Sequence, residues 1–211
     1  MRFVFTLAFL LAAMSVGLAQ ENQFGVAGGF GFYRDATLTN SSGTARAGFG
    51  PRFAASAVIS RKFRNHLGAD LRYTFQDGDS ELRSGSVEAN LDAHAHAIEG
   101  DLLLYLRGPE HRLQPYVSGG FGIKVYQSTE VPANSRPLTN FATLVHGSQT
   151  VPLVTMGGGM QYPISSAWSV RIDLRDYATP FPDRLFPAAP GARVSGWLHD
   201  FVPLIGISRR F

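Results

Sequence analysis

QPYVSGGFGIKVY, residues 114–126, alternates along its length. Gln114, Tyr116, Ser118, Gly120, Gly122, Lys124 and Tyr126 are small or polar, whereas Val117, Phe121, Ile123 and Val125 on the intervening positions are apolar. A period of two is the signature of a strand with one apolar side. One strand does not say whether that side faces a protein core or lipid, so the choice rests on the remaining segments.

Seven further segments share the pattern, at about 24–34, 45–63, 66–76, 97–107, 151–163, 167–177 and 200–211. The links between them alternate in length. Arg64-Asn65, Gly108 to Leu113 and Ile164 to Ser166 are tight, while 35–44, 77–96, 127–150 and 178–199 are long and rich in Ser, Asn, Asp, Gly and Pro. An even strand count with alternating short turns and long loops is the plan of an outer-membrane barrel with both termini at the short-turn end. A soluble up-and-down barrel also has eight strands, but it puts its apolar residues inside.

Composition narrows the function classes. The chain has 211 residues and no cysteine, so there is neither a disulfide scaffold nor a thiolate metal site. Arg2, the apolar run Phe3 to Val16 and Gly17-Leu18-Ala19 read as a secretory signal, giving a signal peptide over 1–19 and a barrel domain over 20–211. Setting Arg2 aside lowers the 19 basic residues to 18 against 16 acidic ones. This small imbalance, with no basic run, argues against a nucleic-acid partner.

Aromatic residues on the apolar face gather near strand ends: Phe24, Phe63, Tyr162 and Trp168 at the short-turn end, Phe32, Phe49, Phe75 and Phe201 at the other. Two interfacial girdles of a membrane barrel have this form. The opposite face carries Arg52, Asp70, Arg72, Glu99, Asp101, Lys124, Arg171, Asp173 and Arg175 among many small residues. Eight strands enclose an interior barely wide enough for side chains, so these charges are expected to pair across the lumen and close it. Lys124 is expected to pair with Glu99 or Asp101 on the neighbouring strand.

PYVSGGFG (115–122), WSVRIDLRDY (168–177) and the terminal ISRRF together resemble the small outer-membrane β-barrel families. These include the transmembrane domain of outer membrane protein A, outer membrane protein X and the opacity-type proteins. The resemblance implies an all-β, eight-stranded antiparallel up-and-down transmembrane barrel with short periplasmic turns and long extracellular loops. It also implies a place in the bacterial outer membrane, contact with outer-membrane lipid, and an assembly signal read by the barrel-assembly machinery, carried here by Ile205, Ile207 and Phe211. Arg209 departs from the apolar residue usual at its position and is expected at the membrane interface, where a charge costs little.

The expected function is a non-enzymatic anchor, without cofactor, whose loops meet an extracellular partner. A narrow channel for small solutes, a lipid A-modifying barrel enzyme and a soluble lipocalin-like binder are the alternatives. Two constellations bear on chemistry. His94 and His96, with Glu99 and Asp101 nearby, suit a zinc or copper ion by ligand type but lack a third ligand at diagnostic spacing. His146 and Ser148 form a His-x-Ser pair like that of lipid A deacylases, yet the nearest acid downstream is Asp173.

Overall fold

A computed structural model describes residues 21–41, 43–50, 53–129 and 137–211. The expected signal peptide and Arg52 lie outside the described residues. Among the described residues fourteen strands are present: β1 Glu21–Phe30, β2 Phe32–Arg34, β3 Ala36–Asn40, β4 Gly43–Phe49, β5 Phe53–Arg64, β6 Leu67–Asp77, β7 Ser80–Ser84, β8 Val87–Leu91, β9 Ala93–Tyr105, β10 Gln114–Ser128, β11 Gly147–Pro163, β12 Trp168–Thr179, β13 Arg193–Ser195 and β14 Leu198–Arg210.

Eight of them, β1, β5, β6, β9, β10, β11, β12 and β14, pair antiparallel in chain order, and β14 returns to β1 from Gln23↔Arg210 to Gly29↔Leu204. The sheet therefore closes and has no edge at this level, the condition for crossing a bilayer with strands. The start of β1 and the end of β14 lie together at the short-turn rim, where the Phe211 amide donates to the Asn22 carbonyl at 3.0 Å. Ordinary globular sidedness is reversed within the barrel. Phe121 is 75% exposed and Leu102 71%, whereas Arg72, Lys124 and Arg175 are fully enclosed. Glycine makes room in this wall: a Cβ at Gly120 or Gly122 would run into the carbonyls of Gly100 or Ile98 on β9. These glycines clear the neighbouring backbone more than the neighbouring side chains.

Above the barrel the expected loops are largely sheet. β13, β3, β4, β7 and β8 form a second antiparallel sheet at the long-link end. Its inner face, with Leu38, Ala47, Phe49, Leu82 and Leu91, packs on Tyr126, Phe141, Leu144, Leu185, Phe186 and Leu198 as one apolar core. Polar residues such as Thr37, Arg46, Arg83 and Glu88 point outward. The lower half of the molecule is polar inside and apolar outside, and the upper half is the reverse.

One strand shows both reversals. On β9 the inward side chains run Ala93, Ala95, Ala97, Glu99, Asp101, Leu103, and the outward ones run His94, His96, Ile98, Leu102, Leu104. The outer switch falls between His96 and Ile98, which marks where lipid begins.

This arrangement corrects the expectation for Phe49, which is not part of the outer girdle. It is 4% exposed inside the cap, stacked on Tyr126 with ring centroids 4.6 Å apart. The strand expected over 45–63 is two strands, β4 ending at Phe49 and β5 starting at Phe53, and the sequence between them holds a proline, which has no N–H to give a ladder. β4 and β5 thus belong to different sheets, and the alternation does not carry through. Phe24, Phe32, Phe63, Tyr162, Trp168 and Phe201 face outward, and Phe75 is partly covered on the same face by His94 and His96.

Candidate functional site

The interior is built in layers from the short-turn end upward. At the bottom Gln161 donates to Gln23 at 2.7 Å and Lys62 to Gln114 at 2.9 Å, beside the small cluster Leu103, Tyr105 and Tyr116. Above it lies the charged layer. Arg171, Asp173 and Arg175 alternate on β12 and point inward together, because residues two apart share a face. Asp70 and Arg72 project from β6, Glu99 and Asp101 from β9.

Arg171 reaches Asp70 at 2.5 Å and Asp173 at 3.0 Å, while Arg175 reaches Asp101 at 2.5 Å. Arg72 sits between Asp173 at 3.4 Å, Asp70 at 3.5 Å and Glu99 at 3.7 Å. Hydroxyls take up the remaining donors and acceptors. Ser60 accepts from Arg171 and Ser56 from Arg72, each at 3.1 Å, and Tyr177 donates to Glu99 at 3.0 Å. Tyr116 donates to Asp173 and Thr155 to Asp101. Ionised groups withdrawn from water are costly unless paired and hydrogen-bonded, and this network meets both conditions for most of its atoms. Asp70 Oδ1, Arg72 Nε, Glu99 Oε2 and Arg175 Nε are the atoms of this layer without a hydrogen-bond partner.

Lys124 departs from the sequence expectation. Its register partner on β9 is Ala97, whereas Asp101 and Glu99 lie opposite Gly120 and Gly122, further toward the short-turn end. Asp101 is taken by Arg175. Lys124 instead crosses the lumen to Asp200 on β14 at 2.7 Å, with both side chains fully buried. Gln76 donates to the same carboxylate oxygen at 2.6 Å, and the rings of Tyr33, Tyr126 and Tyr177 lie 5.0, 5.2 and 5.4 Å from the ammonium.

Asp200 was not among the expected lumen charges. It stands at the first position of its expected strand, where a rim residue and a lumen residue look alike in sequence. Its parity with Val202 and Leu204 is the signal that places it inside.

Neither chemical constellation assembles. His94 and His96 lie edge to face, 5.2 Å between ring centroids, on the outer surface of β9, while Glu99 and Asp101 point into the lumen. No cluster of three metal-ligating side chains occurs among the described residues. His146 and Ser148 are exposed at the cap end of β11, and Asp173 is buried in the charged layer.

At the upper rim, outside the lipid band, the carboxyl groups of Asp35 and Glu81 are pushed above the usual carboxylate range by burial, with Arg83 acting against the shift in both and Arg46 also in Asp35. A groove of about 470 Å³ on the outer face of the cap is lined by Thr37, Thr44, Arg46, Arg83 and Ser84.

A closed, edgeless sheet of eight antiparallel strands, polar within and banded with exposed apolar side chains, defines an outer-membrane β-barrel protein. The sequence matches the outer membrane protein beta-barrel domain over residues 3–184, and the chain belongs to that family. Among solved structures it is similar to the outer membrane protein OprG from Pseudomonas aeruginosa, with 15% identity, 90% of this chain and 96% of that one covered, and a TM-score of 0.61. It is also similar to Neisserial surface protein A, with 12% identity, 91% and 97% coverage, and a TM-score of 0.54. At these identities the likeness shows the fold alone. No curated protein sequence matches it significantly.

Proposed function

We propose that this chain is a non-enzymatic anchor of the bacterial outer membrane, a sealed barrel that holds a rigid β cap toward the exterior for contact with an extracellular or envelope partner. The observation that carries this reading is the filled interior. A solute entering from outside meets the apolar core under the cap, then the Lys124–Asp200 pair, then the charged layer. The outer face of the cap, with its groove between Arg46 and Arg83, is the surface available to a partner. In the same reading residues 1–19 direct export, and Ile205, Ile207 and Phe211, all exposed on the lipid face, carry the signal for barrel assembly.

Planar-bilayer recording tests the seal. The purified, heat-modifiable barrel is expected to give no stable conductance step. A persistent step that survives in the wild-type chain and widens in Asp173→Ala would replace the anchor by a narrow channel.

A further inference from the structure

The two rims of the barrel differ in charge. Arg61, Lys62, Arg64, Arg107, Arg112 and Arg209, with Arg210, gather at the short-turn rim, where Glu110 is the acid among the described side chains. Glu110 lies 3.4 Å from His111. Among the described residues, none of Arg61, Arg64, Arg107, Arg112 and Arg209 forms an ion pair. Unpaired charge at a rim in contact with water needs no explanation by itself, but two of these arginines stand on the lipid-facing columns.

Arg209 lies opposite Phe24 on β1 and opposite Trp168 on β12, its guanidinium 5.8 Å from the Trp168 ring. Arg61 lies opposite Asn22 on the other side of β1, and its Nε is buried without an acceptor. On β1 between them Asn22 and Phe24 share the outward face, and Phe24 is 47% exposed. Interfacial aromatics fix this level of the wall at the lipid headgroups.

We propose that Arg61 and Arg209, on either side of Phe24, clasp the phosphate of an anionic phospholipid in the periplasmic leaflet. Arg64 and the turn arginines supply the surrounding positive field. The acyl chains lie along the apolar band above, and the headgroup faces the two guanidiniums at the rim. Planar guanidiniums suit phosphate oxygens in number and geometry. A basic residue near an anionic lipid surface contributes about 1 kcal/mol, roughly five-fold in binding, so two arginines give selectivity on the order of ten-fold or more over a zwitterionic lipid.

The two tryptophans, Trp168 and Trp197, provide the test. Trp168 is at the short-turn rim and Trp197 precedes β14 at the cap. The Trp197→Phe protein is reconstituted in vesicles of phosphatidylcholine with a minor fraction of chain-brominated phosphatidylglycerol. Quenching of Trp168 is expected to exceed the bulk brominated fraction several-fold, to fall toward it in 0.5 M salt, and to reach it in Arg61→Gln/Arg209→Gln. The Trp168→Phe protein, whose Trp197 stands at the cap away from the acyl chains, gives the background quenching. Each variant is first checked for the heat-dependent gel shift of a folded barrel, and the salt arm needs no substitution at either arginine. Quenching at the bulk level in the wild-type arginine background overturns the proposal. So does full loss of the excess with millimolar inorganic phosphate, which would make this a site for free anions, or its persistence in the double glutamine variant.

Discussion

The Lys124–Asp200 pair offers a direct test of how the interior is held. At 2.7 Å and an effective dielectric of about 20, the Coulombic attraction is roughly 6 kcal/mol before the desolvation of either ion is counted. Both groups are fully buried, so replacing Asp200 by leucine strands an ammonium whose remaining contacts are the Tyr33 hydroxyl at 3.3 Å and three tyrosine rings. The expected cost is about 3–5 kcal/mol, the range for breaking a buried pair from one side. Lys124→Met costs less, because Gln76 still donates to Asp200. Leu153, Val202 and Leu204 border this level on one side and Tyr126 and Leu198 on the other, so the double variant Lys124→Met/Asp200→Leu finds apolar neighbours. It is expected to return to within about 1 kcal/mol of the parent, as buried pairs replaced by apolar groups often do. Urea unfolding in lipid vesicles, followed by tryptophan fluorescence and the gel shift, gives the four corners of the cycle. A coupling energy below about 0.5 kcal/mol, so that the two losses simply add, would refute the claim that this pair acts as a unit.

Two further outcomes concern the cap. Phe49→Ala removes a ring packed on Tyr126, Tyr33 and Phe186 and is expected to cost about 3–5 kcal/mol locally, seen as faster amide exchange in β4 and β7 with β10 to β12 unchanged in their lower halves. Phe53→Ala, at a lipid-facing position, should leave that exchange alone. The raised pKa values of Asp35 and Glu81 mean that the folded cap holds their protons more tightly than the unfolded chain does. Their contribution is therefore fully present below the unfolded carboxylate range near 4 and is lost as pH rises through the higher folded values. Intrinsic-rate-corrected exchange of β4 and β7 should show more protection at pH 4 than at pH 7. Asp35→Asn should flatten that difference.

The lipid-facing register was legible because it repeats: Phe121 on β10, Ile172 on β12 and Ile205 on β14 each sit in a run of alternating residues long enough to span the apolar band. The cap was not, for a physical reason. β3, β7 and β8 are five residues each, with polar outer faces and turn residues at both ends, and ATLTN, SELRS and VEANL read as loop when the core they cover is distant in sequence. Phe49 was misassigned by extending one alternation through Gly50-Pro51. In the charged layer, the residue types and the face were readable from parity, but the partners were not. Which carboxylate meets Lys124 depends on how the strands are staggered around the closed sheet, and that offset brings β14, three strands later in the ring, into reach of β10.

The ambiguity between a soluble and a membrane barrel was a property of the molecule. Strand β9 carries both patterns in one continuous ladder, alanines inward at its upper end and Glu99 and Asp101 inward below. A loop grafted on a barrel could move independently of it. Here the same backbone hydrogen bonds run from the lipid band into the cap, so β10 pairs with β9 without a break from Tyr116↔Tyr105 up to Ser128↔Ala93. Phe49 and Leu38 then close over the top of the lumen. Opening a passage would require the apolar core and the ion pairs beneath it to come apart together, which favours a fixed presenting surface over a gated pore.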